Sequence, residues 1–294
     1  MTPDSPRPVR PEVSVVVPVR DGASSLLALL ASLESQDLPI DSYEVIVVDN
    51  GSRDDSAAVA ATHGVRVASA PVPNRALARN VGAQAAHADV VAFIDADCTA
   101  SPQWLSALLR CRGTAPLVAG PVEIETHKPP NAIERFEASW RFNQEGAVTR
   151  GWAATANLMV ERPAFEAVGG FDPEYPHIGE DVDFCLRAGR AGYDLGFCRE
   201  AVVRHGAEHE LGPVIRRAFF HGYGAAQVLR RLGVGHVAWR HPRPLFHPRV
   251  ALRFHGIVPG SLPRRERPGQ VALAMATYAS RVAGSVWASL RRAR

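Results

Sequence analysis

Asp95-Ala96-Asp97 follows directly on Val90-Val91-Ala92-Phe93-Ile94, a short apolar run that reads as a buried parallel strand. Such a strand delivers two carboxylates, two residues apart, to its carboxyl end, the edge at which open α/β sheets bind ligands. Two hard oxygen donors there suit Mg²⁺ or Mn²⁺, which would in turn hold a substrate diphosphate. A pair of acids in a plain turn has the same signature, so the reading depends on the rest of the chain.

Three further segments carry chemistry. Asp49-Asn50-Gly51-Ser52 closes an apolar run at 44–48, and a carboxylate there can accept hydrogen bonds from a ribose or a base N–H. A turn with a helix cap needs the same residue types. Gly179-Glu180-Asp181-Val182-Asp183 places three acids in four positions. The macrodipole favours acids in a first helical turn, and Asp183 with Arg187 makes an i,i+4 pair. Glu180 and Asp181 remain, and a carboxylate in such a place can deprotonate a hydroxyl nucleophile as general base. His205 ends an extended segment after Val202-Val203; if it approaches Asp97, its imidazole can complete a divalent metal shell.

The elements that must position these residues alternate. Strands are predicted at 13–19, 44–48, 65–68 and 89–94, with helices at 23–35, from Asp54 or Asp55, and at 75–86. Leu26, Leu29, Leu30 and Leu33 fall on one helical face. This alternation means βαβ units and a mainly parallel sheet flanked by helices. Further on, a helix at 102–111 is expected to be capped by Ser101, a strand at 117–124 to lead out to Pro129-Pro130, and 133–144 to form an amphipathic helix with exposed acids and arginines. A strand at 157–160, a helix at 162–168 stopped by Gly169-Gly170, a helix at 180–191 and an extended stretch at 194–205 complete the body.

Past Gly206 the pattern changes. Residues 213–232 are helical and basic, 233–268 are rich in Pro, Arg and His without clear periodicity, and 270–290 place Val271, Met275, Tyr278, Val282, Val286 and Leu290 on one face. Arg281 at the centre of that helix argues against a membrane span; an interfacial helix, or packing on the body or a second subunit, fits better. The expected organisation is a loose tail at 1–11, a catalytic body at 12–206 and a basic, mainly helical extension at 207–294.

Composition bounds the function. The 294 residues carry a net charge of +3, but residues 1–203 hold 17 Lys/Arg against 27 Asp/Glu, and 204–294 hold 16 Arg against 3 Glu. An acidic body would repel nucleic acid, and the tail's arginines lack interleaved aromatics, so a nucleic-acid partner is not expected. Peripheral membrane contact through the tail, and a homodimer, stay open. Without a signal peptide, Cys98, Cys111, Cys185 and Cys198 are expected to be reduced thiols of a cytoplasmic protein, peripheral at most on the inner face of the cell membrane.

Taken in order, Val-Val-Val-Pro-Val-Arg at 15–20, Val-Asp-Asn-Gly-Ser at 48–52, Asn-Arg-Ala-Leu-Ala-Arg-Asn-Val-Gly at 74–82, Asp-Ala-Asp at 95–97, Gly-Gly-Phe-Asp at 169–172, Gly-Glu-Asp-Val-Asp-Phe-Cys-Leu-Arg at 179–187 and Val-Val-Arg-His at 202–205 resemble a family 2 glycosyltransferase, inverting and of GT-A fold. The resemblance covers about residues 12–206. It implies that Asp49 contacts the base or ribose, with Pro18 and Arg20 at the pocket's mouth and Arg79 near the nucleotide. Asp95 would touch the ribose, Asp97 the Mn²⁺ or Mg²⁺ and His205 the metal or the diphosphate, and Asp181 would be the base, with Glu180 supporting the acceptor site. The donor implied is a nucleotide-diphosphate sugar, most simply a UDP-sugar with GDP- and dTDP-sugars open; the acceptor is a hydroxyl, and the basic tail alone points to a lipid-linked or cell-envelope glycan.

Processive members resemble a Gln-x-x-Arg-Trp pattern followed by membrane helices. Gln227-Val228-Leu229-Arg230-Arg231 lacks the Trp, which favours a single transfer. Residues 18–25 do not supply the Gly-rich basic loop expected of a sugar-nucleotide nucleotidyltransferase. A non-catalytic scaffold that docks through its basic tail is the other alternative, against which the intact acids at 95, 97 and 181 count.

Overall fold

The computed structural model describes residues 10–231, 233 and 267–290. These divide into two compact units, one of residues up to 123 with 143–174 and 180–205, the other of 124–142, 175–179 and the chain from 206 onward.

The first unit is built on a seven-stranded mixed sheet. Its elements are β1 (Val13–Val19), α1 (Ala23–Glu34), β2 (Tyr43–Asp49), α2 (Ser56–Thr62), β3 (Arg66–Ser69), α3 (Arg75–Ala85), β4 (Val90–Ile94), β5 (Cys98–Ala100), α4 (Trp104–Cys111) and β6 (Leu117–Ala119). After β7 (Val122–Glu125) and α5 (Ala132–Trp140) come α6 (Gln144–Val148), β8 (Asn157–Glu161), α7 (Arg162–Ala167), α8 (Glu180–Arg190), β9 (Leu195–Phe197) and β10 (Val203–Gly206). The strand order is β3-β2-β1-β4-β8-β6-β9. β1 pairs in parallel with both β2 and β4, and β8 runs antiparallel between β4 and β6. The β-branched run of β1 is buried on both faces, as a central parallel strand should be. The C-terminal ends of β2, β1 and β4 therefore share one edge.

α3 lies tightly over that sheet because Gly82 has no side chain: a Cβ there would sit 2.3 Å from Val16 Cγ1. An aromatic stack then joins sheet to helix. Phe93 of β4 meets Phe171 edge-on at 5.2 Å, and Phe171 meets Phe184 of α8 at 4.5 Å. All three rings are fully buried, each stabilising by roughly 1.5–3 kcal/mol. They fix the start of α8 relative to the end of β4.

Several local expectations change. Ser101 does not cap α4, which begins at Trp104 after a turn in which the Ser101 carbonyl accepts from the Trp104 N–H. The strand expected at 117–124 is two strands, β6 in the large sheet and β7 in a small sheet ordered β5-β10-β7. The break falls at Gly120, where a Cβ would lie 2.2 Å from the Ala201 carbonyl oxygen. The extended stretch at 194–205 divides likewise into β9 and β10. The expected helix at 133–144 ends at Trp140, and α6 restarts on an Asn143 cap.

The four cysteines are not all thiols: Cys111 at the end of α4 is joined to Cys198, whereas Cys98 and Cys185 form no disulfide. No close Cys spacing signals this bond, because the partners lie 87 residues apart and meet only through the sheet. Cys198→Ser is expected to cost about 2–4 kcal/mol, read as a lower urea midpoint that reducing agent reproduces in the parent protein.

The second unit contains α5, α9 (Leu211–Arg231) and α10 (Arg267–Leu290), with Phe136, Val214 and Ala274 at its core. The acids of α5 are buried, contrary to expectation. Glu134 closes a capping box on Asn131, and backbone N–H groups of Asn131 and His127 pull its carboxyl down to about 2. Glu137 is ion-paired with Arg141 and Arg217. On α10 the most buried positions are Gln270, Ala274, Thr277, Gly284 and Ala288, and the Val271–Met275–Tyr278–Val282–Val286 stripe is only partly covered. The reason is close approach to α9. A Cβ on Gly222 or Gly284 would lie within 2 Å of the facing backbone oxygen, and Ser280 and Ser285 donate to the Ile215 and Gly222 carbonyls. The 233–268 segment lies almost wholly outside the described residues.

Candidate active site

The first two loops at the shared edge are laced together. Asp49 accepts from the Ser52 N–H at 3.1 Å, closing the turn for which Gly51 takes a φ of +76°. The Asp21 N–H donates to Ser52 Oγ, Asp21 accepts from the Arg53 N–H, and the Ala23 N–H donates to Asp54. Asn50 accepts from the Asn74 N–H, and Asn74 in turn caps α3. Pro18, one residue from the end of β1, is partly exposed, and Arg20 just beyond it is exposed. Asp49 and Pro18 thus stand at the paired ends of β2 and β1, as the register Pro18–Val48 and Val19–Asp49 requires, and Arg20 follows directly on β1.

Arg79 on α3 is the centre of the arrangement. Its guanidinium is 4% exposed and donates to Glu180 at 2.7 Å and to Asp95 at 2.9 Å. It therefore bridges the end of β4 to the first turn of α8. Burial alone would weaken its charge, but the facing acids, Asp95 foremost, push its pKa above the ordinary value. Glu180 is 5% exposed, and its second oxygen, like Arg79 Nε, is buried with no hydrogen-bond partner.

Asp181 follows Glu180 and is only partly buried by surface area, yet its carboxyl is pushed up to about 7. Desolvation is the main cause and the Glu180 charge adds to it; Arg79 and the Val182 N–H act in the opposite direction. Asp183, by contrast, is held by Arg187 at 2.7 Å, and Arg187 also donates to the Val168 and Gly170 carbonyls. Asp181 thus combines partial exposure with a raised pKa.

Asp97 is brought to His205 by strand pairing. The turn after β4 hands the chain to β5, and β5 pairs antiparallel with β10 in a register that sets Cys98 opposite His205. His205 Nε2 lies 3.1 Å from the Asp97 carboxylate, with Asp97 57% exposed and His205 buried. One carboxylate oxygen of Asp97, Cys98 Sγ and one ring nitrogen of His205 all fall within 4.8 Å of one another. Metal–donor bonds of about 2.0–2.3 Å place ligands of a shared ion at about this separation or less, so the residues fit a divalent cation.

Asn80 was not singled out from the sequence. Its side chain donates to the Phe171 carbonyl at 2.7 Å and accepts from the Phe171 N–H at 2.9 Å, clamping the Gly169–Asp172 loop to α3. An amide within an otherwise Ala-rich helix was the available signal, since Asn disfavours helix interiors unless its side chain has a task.

The mixed, mainly parallel sheet order is that of a GT-A fold. The chain belongs to glycosyl transferase family 2: the model of that family matches residues 14–115, and that of glycosyl transferase family group 2 matches residues 90–262. Glycosyltransferase AglE of Haloferax volcanii is 32% identical over 227 residues, 74% of each chain. The pre-mycofactocin glycosyltransferase of Mycobacterium tuberculosis is 36% identical over 76% of this chain, and the match spans 49% of that protein's length. Among solved structures, the mannosyltransferase PcManGT from Pyrobaculum calidifontis, in complex with GDP-Man and Mn²⁺, shares the fold at a TM-score of 0.64 and 18% identity, over 96% of this chain and 88% of that one. Residues 1–349 of S. aureus TarS, in complex with UDP, share it at 0.55 and 16%, over 96% and 92%. The protein is accordingly an enzyme, a glycosyltransferase. Among the described residues no helix is long and apolar enough to cross a membrane.

Proposed function

We propose that the chain is an inverting glycosyltransferase that makes single transfers from a UDP-sugar to a hydroxyl acceptor of the cell envelope. The observation that carries the reading is Asp181, a carboxylate whose proton is held up to about 7 beside the Arg79-bridged acids. A base titrating near the working pH is suited to remove a proton from a hydroxyl. Asp181 takes that proton as the acceptor oxygen attacks the anomeric carbon. The new C–O bond forms opposite the breaking bond to the diphosphate, through a transition state of oxocarbenium character. No covalent sugar–enzyme intermediate is needed, so inversion follows.

Asp49, Pro18 and Arg20 hold the nucleoside with Arg79 nearby, Asp95 faces the ribose, and Glu180 supports the acceptor site, tied through Arg79 to Asp95. Asp97 and His205 would hold Mn²⁺ or Mg²⁺, which when bound offsets charge on the leaving nucleoside diphosphate. The proposed place of action is the cytoplasmic side of the membrane, with the basic 207–294 extension against anionic lipid.

The test is nucleotide release from UDP-, GDP- and dTDP-sugars with Mn²⁺ and then with EDTA, beside thermal shifts with the matching nucleotides. Release and a shift with UDP alone, both lost on chelation, are expected. A shift with GDP or dTDP and none with UDP would sink the donor assignment.

A further inference from the structure

We propose that Cys98 is a third metal donor, so that Asp97, Cys98 and His205 form an oxygen–sulfur–nitrogen site that takes Zn²⁺ or Co²⁺ more tightly than Mg²⁺. The proposal rests on the reading of Asp97 and His205 as metal ligands and extends it to a residue that the sequence motif does not include.

Strand register carries the argument. Cys98 and His205 are directly opposed across the antiparallel β5–β10 pair, and opposed residues of such a pair project from the same face with Cβ atoms about 4.5–5.5 Å apart. Asp97 precedes Cys98 at the turn and reaches His205 from the solvent side. The three donor atoms lie within 4.8 Å of one another. Cys98 and His205 are 2% and 7% exposed, so two donors are fixed by the sheet and the exposed third closes over an ion. A buried cysteine is ordinarily a small apolar side chain. Here its sulfur faces a carboxylate and an imidazole, and that company is chemically that of a ligand.

Donor softness then sets the preference. A thiolate beside an imidazole favours Zn²⁺ and Co²⁺, whereas Mg²⁺ and Mn²⁺ are served chiefly by carboxylate and water oxygens. On coordination the Cys98 thiol gives its proton to solvent, and the metal takes its place.

The experiment uses the full chain without nucleotide. Co²⁺ titration should produce a near-ultraviolet thiolate-to-cobalt charge-transfer band, and Cys98→Ser should abolish it and weaken Zn²⁺ binding by about tenfold or more. Mn²⁺ binding, read by electron paramagnetic resonance, should change by less than about twofold in that variant. Alkylation of the parent protein followed by mass spectrometry supplies a readout that needs no variant: Zn²⁺ should protect Cys98 and leave the rate at Cys185 unchanged. Mn²⁺ binding without a cobalt band or Zn²⁺ protection would overturn the Cys98 assignment and leave the Asp97–His205 reading standing. If neither Mn²⁺ nor Co²⁺ binds, the underlying metal reading falls with it.

Discussion

Asp181→Asn is expected to lower transfer by about 10²–10⁴-fold while binding of UDP with Mn²⁺ stays within about twofold, because the amide keeps the shape and loses only the proton acceptor. In the parent enzyme the base works deprotonated. With the folded-state pKa raised to about 7, kcat/KM should therefore climb with pH and level off just above neutrality. The same shift has an opposite consequence for stability. A carboxyl whose folded pKa lies above its unfolded value contributes stability that is fully present below the unfolded pKa and lost as pH rises through the folded one. Above about pH 7 the folded protein thus carries the cost of a desolvated Asp181 charge beside Glu180. Asp181→Asn removes it, and should gain about 1–3 kcal/mol at about pH 8, the range being discounted for partial exposure, and nothing at about pH 4. Activity profiles and urea titrations at the two pH values check both halves. Wild-type rates in the variant would remove Asp181 from the base role, and an equal urea midpoint at about pH 8 would show that its charge is not strained.

The parts of this site legible in the sequence are those set by local periodicity. The run of β-branched residues at 13–17 reads as a buried strand, and the end of each such run marks the edge at which Asp49 and Asp95 stand. The i,i+4 spacing of Asp183 and Arg187 likewise needs no tertiary knowledge, and the pair is present at 2.7 Å. Long-range register is different in kind. That His205 meets Asp97 depends on β10 pairing with β5 across about a hundred residues, and nothing local fixes that alignment. The same is true of Cys111 and Cys198. Burial of charge is also hidden: Glu137 sits on an amphipathic pattern that reads as exposed, yet Arg217 of a distant helix covers it. On α10 the visible apolar stripe misled because close helix crossing selects small residues, and Gly222 and Gly284 carry that contact without adding hydrophobicity.

Arg79→Met is expected to cost about 3–5 kcal/mol and to depress transfer with it. Glu180 is 5% exposed and its partner would be gone, so the variant keeps a desolvation penalty with no opposite charge against it. Asp95 loses the same partner but is about a third exposed, so water recovers part of its solvation and most of the loss belongs to Glu180. Arg79 also draws the Asp181 carboxyl downward, so without it the rising limb of kcat/KM should move to higher pH, a shift that a merely loosened fold would not produce. Arg79→Lys cannot stand in, because one ammonium does not present the two donors that reach Glu180 and Asp95 at once. The double variant Arg79→Met with Glu180→Gln separates the two effects. Removing the buried charge together with its partner should return the urea midpoint to within about 1 kcal/mol of the parent, since a buried pair replaced by uncharged groups is often neutral. Transfer should stay at least about tenfold low, because Asp95 and the first turn of α8, which carries Asp181, are no longer tied across the guanidinium. Recovery of stability and rate together would mean that Arg79 does no more than balance Glu180; recovery of stability alone assigns it the spacing of the acids on which the displacement depends.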